Sequence, residues 1–150
     1  MNITVRPYQD SDFPSLCIIH DAARMIELQL ADLTPAFLPL VDVVESEGLF
    51  EYKHVEVAVL DGNVVGFSAY SDEEFAWLYV APELHRKGIG SALVRHALET
   101  EPGLCCVEAL YGNEPARRLY EAFGFEVKEI VSGWMPGNES FRVRVYSMER

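Results

Sequence analysis

The stretch Val80-Ala81-Pro82-Glu83-Leu84-His85-Arg86-Lys87-Gly88-Ile89-Gly90-Ser91-Ala92-Leu93 decides how this chain folds. Before it, Phe75 to Val80 is an apolar run of strand length, stopped by a proline. After it, an apolar helix pattern runs to Thr100 and ends at Pro102-Gly103. The turn between them is basic and punctuated by glycine. That order gathers backbone N–H groups, the cations Arg86 and Lys87 and the positive end of a helix dipole at one point, which suits phosphate. Side chains at Gly88 and Gly90 would hold an anion away from those amides.

Spacing excludes two common phosphate loops. The ATP-type loop needs Gly-Lys-Ser/Thr, and here Lys87 precedes Gly88. The dinucleotide fingerprint needs a third glycine or alanine where this chain has Leu93, and no βαβ opening lies near the N-terminus.

A second block follows: Asn113-Glu114-Pro115-Ala116-Arg117-Arg118-Leu119-Tyr120-Glu121-Ala122-Phe123-Gly124-Phe125. Together the two blocks resemble the GNAT superfamily of acyl-CoA-dependent N-acetyltransferases. That family's pyrophosphate loop reads Gln/Arg-x-x-Gly-x-Gly/Ala, and its later signature reads Asn-x-x-Ala-x-x-Leu-Tyr-x-x-x-Gly-Phe. The second is matched in full. The first departs once, with His85 where Gln or Arg is usual. The resemblance covers about residues 75–125. It implies an α+β (α/β-like) fold with a mixed, mostly antiparallel sheet of about seven strands and flanking helices. It also implies that the fourth and fifth strands splay apart to admit acetyl-CoA.

Bulk composition agrees with one globular domain over residues 1–150. Hydrophobic residues make up 49% of the 150, enough for a core and too many for disorder. No stretch has the length of a membrane span, and the N-terminus has no signal-peptide pattern, so no membrane partner and a cytoplasmic location are expected. Cys17, Cys105 and Cys106 form no disulfide framework and read as small buried apolar side chains. His20, His54, His85 and His96 share no ligand spacing with them, so no metal is expected. The formal charge of −12 repels nucleic acid, and it either favours a cationic acceptor such as an amine or serves solubility alone. An anionic cofactor would bind against that field, which makes Arg86 and Lys87 more necessary.

Along the chain, residues 3–7 read as a strand. Asp10-Ser11-Asp12 starts a helix with Pro14 just inside it, and Leu16, Ile19, Ala23, Ile26 and Leu30 form its apolar stripe. Residues 35–46 read as a short helical or irregular segment. Strands over 55–60 and 64–70 flank the hairpin signal Asp61-Gly62-Asn63. Strands follow at 75–80 and 104–111, and a helix over 114–123 is stopped by Gly124. The chain ends with a strand over 125–131, a loop over 133–138 and a strand over 140–148.

Acetyl transfer to a primary amine by direct attack sets three tasks. A lysine-like amine, with an ordinary pKa near ~10.4, must lose a proton. The thioester oxygen must be stabilised as it becomes negative. The leaving thiolate must be protonated. The resemblance implies a main-chain donor for the oxygen at Val80 or its neighbour. It makes Tyr120 the acid, although Ala116, Leu119, Tyr120 and Phe123 also form an apolar stripe that would place it in the core. Glu108, a carboxylate among Cys106, Val107 and Ala109, is the candidate base. Glu73 and Glu74 rank second, and a solvated edge carboxylate is the alternative for all three. The implied cofactor contacts are Leu78, Val80, His85, Arg86, Lys87, Gly88, Ile89, Gly90, Ser91 and Asn113, with Asn113 also a helix cap. Arg117 and Arg118 read as solvating their helix, with contact to the cofactor's phosphates as the alternative, and Tyr79 as lining the acceptor cleft or filling space. Segments 25–37 and 133–138 carry Glu27, Asp32, Trp134 and Met135. These suit an amine with an apolar body and would equally suit a homodimer interface. The rival readings are a non-catalytic acyl-CoA-binding regulatory domain and a loop that binds another phosphate ligand such as a nucleotide.

Overall fold

A computed structural model describes residues 2–150. Its strands are β1 (Ile3–Pro7), β2 (His54–Leu60), β3 (Asn63–Tyr70), β4 (Glu74–Val80), β5 (Cys106–Leu110), β6 (Glu126–Met135) and β7 (Asn138–Glu149). The helices are α1 (Phe13–Leu30), α2 (Leu40–Val43), α3 (Ile89–Thr100) and α4 (Glu114–Ala122). The seven strands form one sheet in the order β1-β2-β3-β4-β5-β7-β6. Only β4 and β5 run parallel.

The sheet has an apolar layer on each face. Leu16 and Ile19 of α1 pack with Leu40, Val57, Phe67 and Trp77 on one side. Ile89 and Leu93 of α3 pack with Ala58, Val65 and Val80 on the other. Tyr120 and Phe125 join Val94, Val107 and Met148 in a cluster beside α3. At about 25 cal/mol per Å² of apolar surface, these contacts are the main favourable term.

The feature that makes the site is a fork. β4 and β5 pair only at Glu74 with Cys106 and Phe75 with Val107. Ala76 to Val80 have no partner on β5. The cause lies in β4 itself. Tyr70 of β3 faces Phe75, yet Ala69 faces Trp77, so Ala76 is an extra residue in the ladder. Such a bulge bends the strand and adds twist just where pairing stops. It also resets the alternation of faces. Phe75 packs in the cluster beside α3, whereas Trp77, two residues on, packs against α1.

Three expectations need correction. In α1, Ile26 and Leu30 are exposed, and Leu28 is buried in their place against Ala36, Leu110, Met135 and Val143. Residues 133–135 are strand rather than loop, since β6 and β7 stay paired to Met135 and Asn138 across a turn at Pro136-Gly137. The three cysteines are half-buried thiols, with the sulfurs of Cys105 and Cys106 3.4 Å apart.

Candidate active site

The phosphate-binding turn leaves β4 through a short 3-10 turn at Pro82–Leu84. Arg86 and Gly88 both take left-handed backbone, at φ 66° and 84°. Gly88 caps α3, where a side chain would strain that φ. The amides of Gly88, Ile89, Gly90 and Ser91 have no acceptor among the described residues. Four donors at a helix start, beside the exposed and unpaired Arg86 and Lys87, make a ready anion cradle. His85 stands just before the cradle. Its Nε2–H donates to the Val80 carbonyl at 3.1 Å, which pins the turn to the end of β4. Gly90 serves packing too, because a Cβ there would lie 3.2 Å from Leu119 of α4.

The β4 backbone gives the fork its donors. The Ala81 amide bonds to Val65 of β3 at 2.9 Å. Main-chain groups alternate sides along a strand, so those of Val80 and Leu78 point away from β3 and into the fork. That is where a carbonyl oxygen inserted beside β4 would meet them.

Tyr120 reaches the fork from α4. It is 6% exposed and lines the cavity there, and no described residue hydrogen-bonds its hydroxyl. Burial, with Glu27 adding to it, pushes this phenol far above its ordinary value, so it is a proton donor at neutral pH. Asn113 caps α4 by accepting from the Ala116 amide at 3.3 Å. Its Nδ2 also donates to Glu27 Oε2 at 3.4 Å. Arg117 pairs with Glu114 and Glu121 of its own helix.

On the α1 face the fork opens into a cavity of 420 Å³. Glu108 and Glu74 line it from β5 and β4, while the turn residue Glu73 does not. Burial and then the nearby Glu108 raise the Glu74 carboxyl above its usual range. Of the acceptor-side expectations, Glu27 and Met135 line the cavity. Asp32 and Trp134 do not, and Trp134 lies exposed under the Arg142 guanidinium at 4.9 Å.

A network absent from the sequence reading joins α1 to β4. Arg24 Nη1 holds Glu27 Oε1 at 2.6 Å, and the Tyr79 hydroxyl donates to the same oxygen at 3.2 Å. Burial opposes the Arg24 charge, but Tyr79 and Glu27 outweigh it and keep the guanidinium protonated. Tyr79 itself is pushed well above its ordinary value by burial and by Glu27. The faint signal was the i, i+3 spacing of Arg24 and Glu27. Among the described residues no three metal-ligating side chains cluster, and no helix is long and apolar enough to cross a membrane.

Comparison with known proteins matches this geometry to one family. The model of the acetyltransferase (GNAT) domain matches residues 51–127, just over half of the chain. The chain belongs to the GNAT acetyltransferase family. Within it, the chain is 37% identical over 68 residues to the peptidyl-lysine N-acetyltransferase YiaC of Escherichia coli, covering 45% of this chain and 46% of YiaC. It is 27% identical over 127 residues to the uncharacterized N-acetyltransferase YafP of the same organism, covering 83% and 82%. Among solved structures, yncA from Salmonella typhimurium with its cofactor acetyl-CoA superposes at a TM-score of 0.69. That pair is 19% identical, with 100% of this chain and 94% of the other covered, and shares the GNAT fold.

Proposed function

We propose that this GNAT protein transfers an acetyl group from acetyl-CoA to a primary amine by direct attack in a ternary complex. The observation that carries the reading is the four free amides of Gly88 to Ser91, flanked by Arg86 and Lys87, at one mouth of the β4–β5 fork. Those groups fit a diphosphate, and Asn113 and Leu78 flank the path inward for the rest of coenzyme A. Bound there, acetyl-CoA supplies the thioester carbon that the amine attacks.

The chain's own residues then divide the work. Glu108, acting through water, takes a proton from the ammonium and passes it to solvent. The N–H group of Val80 receives the carbonyl oxygen as its charge grows. As the N–C bond forms and the C–S bond breaks, nitrogen loses its second proton through the same water to Glu108, which has already released the first to solvent. Tyr120 gives one proton to the sulfur and regains one from solvent. The Arg24–Glu27–Tyr79 network holds the wall beside these steps.

The Tyr120 hydroxyl, open to the fork cavity and bonded to no described residue, favours this reading over a non-catalytic acyl-CoA-binding domain, since it is free to donate to a leaving sulfur. The test has two arms. Calorimetry with acetyl-CoA, ATP and NAD should give heat only for acetyl-CoA. A thiol assay over a panel of amines should then detect coenzyme A release. Binding without release for every amine would leave the regulatory reading standing instead.

A further inference from the structure

The cavity on the α1 face carries charge that the transfer step does not use. Four carboxylates line it, from Glu27, Glu47, Glu74 and Glu108, against the single guanidinium of Arg24. Glu27 is committed to Arg24 at 2.6 Å. Among the described residues, no side chain hydrogen-bonds or ion-pairs with Glu47, Glu74 or Glu108. Glu47 and Glu74 are half-buried. Unpaired carboxylates in such a place cost free energy until a cation joins them.

Both groups show that cost. Burial, and then the like charge of Glu27, holds the Glu47 carboxyl above its usual range, against the pull of Arg24. Glu74 is raised by burial and by Glu108. Tyr52 lines the same cavity as both carboxylates, and burial, then Glu74 and Glu47, raise its phenol. Trp77 lines the same space. A cation seated between two carboxylates and beside aromatic faces is well held. Tyr120 supplies the independent sign of a ligand here, a residue 6% exposed whose hydroxyl opens into the same cavity with no partner among the described residues.

Size and polarity narrow the occupant. The cavity is walled by α1, the segment from Ala36 to Glu47, β4, β5 and the β6–β7 turn. A walled space of 420 Å³ takes a small molecule. Leu38, Val43 and Ala76 give it apolar stretches between the charges.

Resting on the acetyltransferase reading above, we propose that the acceptor is a small aliphatic di- or polyamine. One amine reacts beside Glu108 and Tyr120. The distal ammonium is held between Glu47 and Glu74, beside Tyr52 and Trp77.

The test compares α,ω-diamines of three to six carbons with the amino alcohols of equal length, which keep one amine and lose the second charge. For the best length, kcat/KM should favour the diamine by about tenfold or more, equivalent to ~1.4 kcal/mol. In the Glu47→Gln/Glu74→Gln double variant that ratio should fall to near one. A second readout needs no turnover. The diamine should raise the melting temperature of the wild-type protein more than its amino alcohol does. The double variant without ligand should melt at or above the wild type, having lost two uncompensated charges. Equal kcat/KM for diamine and amino alcohol in the wild type overturns the inference and leaves the acetyltransferase reading intact. So does a lysine peptide, the acceptor class in YiaC's name, that outperforms every diamine. Failure of acetyl-CoA itself to bind overturns both.

Discussion

Tyr120 and Glu108 carry the chemistry at the residue scale, and each has a separable test. Tyr120→Phe keeps the ring that packs against Phe75 and Phe125, so the fold and acetyl-CoA affinity should change little. Loss of the proton donor should lower kcat by about 10²-fold. A variant with wild-type kcat would remove Tyr120 from the acid role. Glu108→Gln should likewise lower kcat/KM for the amine by about 10²-fold with acetyl-CoA affinity retained. If it does not, the proton leaves by another route, and Glu27 is the next carboxylate to replace. Tyr120 was legible because its signature is local, running from Asn113 to Phe125. Arg24 and Glu47 were not, and of Tyr79 only a place at the cleft was, not its bond to Glu27. Their meeting depends on α1, the segment after α2 and β4 converging, and no spacing along the chain records that.

Element by element, the expected order of strands and helices holds from β1 to β7, because each element has its own period and its own stop signal. What the pattern missed has local physical causes. A bulge at Ala76 changes which side chains face α1, and strict alternation has no place for it. The glycines and proline of residues 133–137 look like a loop, but an edge ribbon tolerates them. The α1 stripe ends differently because Leu28, not Ile26 or Leu30, meets the cluster around Leu110 and Val143. The start of α1 gives an element-scale prediction. Arg6 grips both oxygens of Asp12 at 2.8 and 2.9 Å, and the Gln9 amide donates to one of them at 2.8 Å. The Arg6 hydrogen bonds hold the Asp12 carboxyl below its usual value, against burial. A depressed carboxyl stabilises the fold above its unfolded pKa of about 3.9, and the contribution is lost as pH falls through the folded value. Asp12→Ala should therefore cost about 1–3 kcal/mol in urea unfolding at pH 7. The cost should shrink below pH ~4. A cost that stays constant down to pH 3 would assign the effect to packing alone.

At the scale of the whole molecule, the −12 charge and the acidic cavity act in the same direction on a cationic acceptor. The protein's field should draw the amine in, and salt should weaken it as the screening length falls from ~30 Å at 0.01 M to ~3 Å at 1 M. The kcat/KM for a diamine should thus fall steeply with ionic strength, and less steeply for its amino alcohol. Parallel salt curves would leave the acidic surface with solubility as its only task. Against the same field, the anionic co-substrate depends on a short segment, and the whole account depends on that segment too. The most direct measurement is an amide NMR titration of the protein with coenzyme A. The account predicts that the largest shift changes fall on Gly88, Ile89, Gly90 and Ser91, followed by Leu78 and Val80 along the fork. Saturable binding whose shifts cluster elsewhere, or no response at millimolar ligand, would contradict it.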